Sequence, residues 1–123
     1  MPKSPVNPKR DQRIQDEIIV DAHDSEEQAM GWYYYLDETL VFPFTATCIA
    51  AREISPLRKG DEVEVFGMAS EDTCRHEMFV MMQWERPGLA VPLSQLKPIS
   101  NTDKHTREAT ADWHYWVNQG YTL

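Results

Sequence analysis

Cysteine is scarce: Cys48 and Cys74 are the only two in 123 residues, far apart and with no Cys-x-x-Cys. A disulfide framework is not implied, and reduced thiols are expected. Long apolar runs are missing as well. No stretch approaches the roughly 20 residues of a membrane span. The opening MPKSPVNPKRDQR has no hydrophobic signal core, so a cytoplasmic protein is expected. Positive charge is in short supply: 12 Lys and Arg stand against 20 Asp and Glu, for a formal net charge of -8. Nucleic acid and anionic membrane both reward Lys and Arg, so neither is an expected partner. Cations, basic proteins and small neutral ligands remain.

Catalytic signatures are missing too. There is no GxSxG, P-loop, GxGxxG or HExxH, and His23, His76, His105 and His114 lie in four different segments. Cys74 and His76 are zinc-ligand types, but nothing nearby supplies the other two ligands at the usual spacing. A non-enzyme is expected.

What is present is globular: 41% hydrophobic and 26% charged residues, at a length suited to one domain. Residues 1–12, with three prolines, are expected to be a flexible tail, and 13–123 a single domain. Ile14, Ile18 and Ala22 recur at helical spacing, with Ile19 beside them. Asp24 or Ser25 is a plausible N-cap for a second helix, whose apolar stripe is Ala29, Trp32 or Tyr33, Leu36 and Leu40.

After Leu40 the period drops to two. Leu40, Phe42, Phe44, Ala46 and Cys48 predict a strand; Val63 and Val65 a second; Met78, Val80, Met82 and Trp84 a third. Arg86-Pro87-Gly88 predicts a hairpin turn into a fourth strand at Leu89-Ala90-Val91. One tight helical turn over Pro92–Leu96 then precedes a short strand, Lys97-Pro98-Ile99. Ala109, Trp113, Trp116 and Val117 form the stripe of a last helix, capped by Thr102 or Asp103 and ended by Gly120. The expected fold is therefore α+β: a small SH3-like five-stranded β-barrel with two N-terminal helices and one C-terminal helix.

The acidic excess is uneven. Residues 11–40 carry nine acids and one base, Arg13. An EF-hand loop is absent, since Asp21-Ala22-His23-Asp24-Ser25-Glu26-Glu27 lacks its spacing and its glycine. Asp37-Glu38 is more informative. The second helix must end here, where its dipole is negative and its carbonyls are unpaired, so acids are locally unfavourable. An exposed acid pair in a loop is one reading; a bound cation that compensates both carboxylates is the other. Ca²⁺, which accepts 6–8 oxygens in loose geometry, suits such a place better than octahedral Mg²⁺. Glu17 and Asp21, at i and i+4, repel one another on the first helix, and a cation relieves that as well. Asp61-Glu62 after Gly60 is a further acidic cluster, although a Gly-Asp turn before a strand is ordinary β grammar. Glu71-Asp72 is another, in a loop near Glu77.

Several runs together resemble the CcbP-type calcium-binding proteins, small acidic bacterial proteins that bind Ca²⁺ without an EF-hand. They are Gly31-Trp32-Tyr33-Tyr34-Tyr35-Leu36, Leu40-Val41-Phe42-Pro43-Phe44, Val91-Pro92-Leu93-Ser94-Gln95-Leu96, Asp112-Trp113-His114-Tyr115-Trp116 and Gly120-Tyr121. The resemblance spans about residues 14–121. It implies a non-catalytic, cytoplasmic calcium buffer or sensor that sequesters the ion through acidic surface residues. The acid pair after the Tyr-Tyr-Tyr-Leu run matches as Asp37 and Glu38. The rival expectation is an SH3-like interaction module. In that reading Trp32, Trp84, Trp113 and Trp116, with Tyr33, Tyr34, Tyr35 and Tyr115, line a groove for a peptide or basic protein; packing in the core is the other use of such residues.

Overall fold

Helical and strand periods separate along the chain, and the elements follow them. The structure, a computed structural model, describes residues 5–83, 88–121 and 123. Helix α1 covers Pro8–Arg13 and runs into a π-helical turn, Ile14–Ile18; α2 covers Ser25–Thr39 and α3 Lys104–Asn118. Five strands lie between α2 and α3: β1 (Phe44–Cys48), β2 (Glu62–Met68), β3 (Phe79–Met82), β4 (Leu89–Pro92) and β5 (Leu96–Pro98), with a 3₁₀ turn at Leu93–Gln95. Trp84, Arg86 and Pro87, expected in the third strand and its hairpin turn, lie outside the described residues.

Helix α1 begins inside the segment expected to be a flexible tail. Asn7 caps it, its side-chain oxygen accepting from the Arg10 N–H at 3.1 Å, and Pro8 takes the first-turn position where no N–H is needed. The π turn is closed by the Ile19 N–H donating to the Ile14 carbonyl at 3.0 Å. That wider i→i+5 loop turns Ile14, Ile18 and Ile19 inward together, and all three are buried. The segment packs tightly on α2: a Cβ at Gly31 would lie 2.5 Å from the Ile18 carbonyl oxygen.

The sheet is antiparallel throughout, in the order β4-β3-β2-β1-β5. Phe44 faces Val65 and Ala46 faces Val63 across β1 and β2, while Cys48 faces Leu96 on β5. β1 alternates buried and half-buried residues, so Phe44, Ala46 and Cys48 fill the core as their period demands. The first strand starts at Phe44 and not at Leu40, because Leu40 is still the C-cap of α2, donating its N–H to the Leu36 carbonyl at 2.9 Å.

The expected barrel is corrected here: the sheet is open. β4 and β5 are its two edges, and no ladder joins them among the described residues. It is nevertheless strongly curled. Four flat strand spacings would separate β4 from β5 by about 19 Å, yet the link from Pro92 to Leu96 spans about 14 Å at most. The two strands leave that link for opposite neighbours, β3 and β1. The ends of the link are held there too: the Leu93 N–H donates to the Met78 carbonyl, and the Gln95 carbonyl accepts from the Ile49 N–H. Helix α3 packs against β5 and the 3₁₀ turn, and α2 packs against α3 and β2.

Between helices and sheet lies the aromatic core. Trp32, Trp113 and Trp116 are each at most 2% exposed, so they cement the helices together. The Trp32 and Trp113 rings meet edge-on at 5.1 Å, and Trp113 stacks on Trp116 at 5.5 Å. Among the described residues no helix is long and apolar enough to cross a membrane.

Candidate metal centre

The two ends of α2 are unlike. At its start, the Asp24 carboxylate accepts the Glu27 N–H at 2.8 Å, and Glu26 and Glu27 sit where the dipole favours acids. At its end, Asp37 and Glu38 are exposed and the last turn holds no base. Carbonyls are also left over there. The N–H that would pair with the Asp37 carbonyl belongs to Val41, and it donates instead to Thr106 Oγ1 at 2.8 Å. The partner position for the Thr39 carbonyl is Pro43, which has no N–H. Two carboxylates and uncommitted carbonyl oxygens thus share one helix end, and they are hard oxygen donors of the type Ca²⁺ takes.

The three tyrosines before this end point in three directions, as a 3.6-residue period requires. Tyr34 donates its hydroxyl to Glu71 Oε1 at 3.0 Å. Tyr35 donates to Asp112 Oδ2 at 2.6 Å; burial and that carboxylate push its pKa up to about 12. Tyr33 titrates above the ordinary phenol value through burial first, then through the charges of Asp37 and Glu71. The Tyr34–Glu71 hydrogen bond ties α2 to the loop that carries Glu71. A cleft of about 490 Å³ lies between α2 and this loop, with Glu26, Glu71 and Asp72 on its walls. Arg75 reaches Asp72 at 3.4 Å. Cys74, also on the wall, is buried; burial raises its thiol pKa, and its sulfur accepts the Phe79 N–H at 3.4 Å.

The other expected ligands lie elsewhere. Asp61 closes its own turn: its carboxylate accepts the Arg58 N–H at 2.8 Å, and Gly60 beside it has φ +96°. Glu62 is exposed on β2, opposite Thr47. Glu17 is exposed on the π turn, and exposed Asp21 has φ 60° in the turn that follows. The six fall in three places, and no group of three or more His, Cys, Asp or Glu among the described residues is arranged to hold a metal.

Two acids outside the expected ligand set make long-range hydrogen bonds. Glu71 was visible only as part of a loop cluster; the signal pairing it with the tyrosine run is three-dimensional. Asp112 is fully buried and binds Arg10 Nη1 at 3.0 Å, Arg13 Nη2 and Tyr35. It falls on the same helical stripe as Ala109, Trp113 and Trp116, and a charge on a buried stripe demands a partner. Arg13, the one base of residues 11–40, is thereby taken by α3, so the acids of that segment keep no base of their own.

The calcium-binding CcbP family model matches residues 12–117. The crystal structure of Anabaena CcbP superposes with a TM-score of 0.86 at 41% identity, covering 100% of both chains. A calcium binding protein in its calcium-binding form superposes with a TM-score of 0.83, also at 41% identity, over 95% of each chain. No curated protein matches the chain. With the family match over most of its length and like structures over all of it, the chain belongs to the CcbP family of calcium-binding proteins.

Proposed function

We propose that this protein is a non-catalytic, cytoplasmic Ca²⁺ buffer or sensor, and that the ion binds at the C-terminal end of α2 through Asp37 and Glu38. The carrying observation is the uncompensated helix end: two exposed carboxylates, no base in the last turn, and the Val41 N–H diverted to Thr106. A bound divalent cation neutralises the carboxylates and completes the dipole, and it supplies nothing else to the chemistry. Glu17, Asp21 and Glu62, each exposed, add to the field that concentrates cations. Asp61 has one oxygen committed to its turn.

Calorimetric titration of the intact chain tests this reading. Ca²⁺ should bind saturably and raise the melting temperature, since a ligand of the folded state stabilises by about 2.7 kcal/mol at a hundredfold excess over Kd. Mg²⁺ should do less. Equal shifts from both ions would reduce the effect to charge screening and remove the specific site.

A further inference from the structure

We propose that a second cleft, between α3 and β5, binds a small organic anion: a phosphate monoester carried on a flat apolar body. The cleft has a volume of about 560 Å³ and shares no lining residue with the acidic cleft beside α2. That volume is in the range of small-molecule sites. Its charge opposes that of the whole molecule. In a chain of net charge -8, Arg10, Lys97 and Arg107 all line it, and the one acid there, Glu108, is already paired with Arg10 at 3.3 Å.

Two of these cations are available. Neither Lys97 nor Arg107 has a carboxylate partner among the described residues. Arg107 is oriented by its Nε, which donates to the Thr102 carbonyl at 2.9 Å, so its terminal nitrogens remain for a forked contact. Part of the lining is apolar. Ile49 is 38% exposed, and Tyr115 is tethered by its hydroxyl, which accepts the Asn7 N–H at 3.1 Å. The wall formed by α1 is held in place by Arg10 and Arg13 on buried Asp112. Two cations without a carboxylate partner among the described residues, beside aromatic and aliphatic lining residues, call for a ligand with a charged end and an apolar end.

The test is an amide NMR titration of the full chain with phenyl phosphate in metal-free buffer, so that its outcome is independent of calcium binding. Inorganic phosphate supplies the charge alone and benzyl alcohol the ring alone. Saturable shifts centred on Lys97 and residues 107–114, strongest for phenyl phosphate and weakened by salt, are the expected result. Lys97→Gln and Arg107→Gln, both at exposed positions, should each weaken binding about tenfold, and Lys97→Arg should retain it. The proposal is overturned by an absence of saturation, by benzyl alcohol binding as well as phenyl phosphate, by shifts centred elsewhere, or by unchanged affinity in both Gln variants while their folds stay intact.

Discussion

Arg13, on the N-terminal helix, holds the carboxylate of Asp112, which is 0% exposed and lies 99 positions further along the chain. Arg10 and Tyr35 bind the same carboxylate, at 3.0 and 2.6 Å. One buried charge thus ties α1, α2 and α3 together, and the nearby Asp112 carboxylate raises the Arg13 pKa further above its ordinary value. Removing the acid strands two guanidinium groups and a hydroxyl. Asp112→Ala should cost about 2–4 kcal/mol, below the top of the range for broken buried pairs because both arginines reach solvent. Urea denaturation measures it. A loss under half a kcal/mol would show that the network contributes little.

Gly31 provides a case in which local preference and packing have opposite signs. In an exposed helix interior, Gly→Ala stabilises by about 1 kcal/mol. Here the added Cβ would meet the Ile18 backbone oxygen at 2.5 Å, and a backbone atom inside the π turn cannot swing aside. Gly31→Ala should therefore destabilise, by about 1–3 kcal/mol. A raised melting temperature would contradict the close approach of α2 to this turn.

His114 makes stability depend on mild acid. Its Nε2 lies 2.8 Å from the Leu96 carbonyl, so the neutral ring carries its proton on that nitrogen. Burial, with a smaller contribution from Lys97, lowers its pKa below the usual 6.5, against the opposing pull of the Leu96 and Leu93 carbonyls. A depressed pKa means that the fold prefers the neutral ring. The contribution is complete above pH 6.5 and is lost as pH falls through the lower folded value. The stability difference between wild type and His114→Gln should shrink as pH is lowered from neutrality through that range. A difference that is flat with pH would contradict the assignment.

The local grammar of the fold was legible. Asp24 and Asp103 cap their helices as their positions ahead of the apolar stripes imply, and the switch to period two after Leu40 marks the end of α2 within a residue. The 3₁₀ turn between β4 and β5 was also readable from Pro92–Leu96. Closure of the sheet was not, because alternation assigns faces and says nothing about which edges pair. The start of α1 was hidden by its prolines, although Pro8 is a helix-starting residue once Asn7 caps it. At the end of α2, the conflict of Asp37 and Glu38 with the helix dipole was visible in the sequence. One contact that sharpens it was not: Thr106 captures the Val41 N–H from 65 positions further along the chain.

The most direct test of the calcium site uses one substitution and two readouts. Asp37→Asn keeps shape and one oxygen while removing a full charge. If Asp37 and Glu38 hold Ca²⁺ at the end of α2, affinity measured by calorimetry should fall about tenfold or more, which corresponds to about 1.4 kcal/mol. In metal-free buffer the same variant should be as stable as wild type or more so, because an acid at a helix C-terminus opposes the dipole. Asp61→Asn, which weakens a turn, should lose stability and keep calcium affinity. The account is contradicted if Asp37→Asn binds Ca²⁺ as tightly as wild type, and most plainly if Asp61→Asn is the variant that abolishes binding.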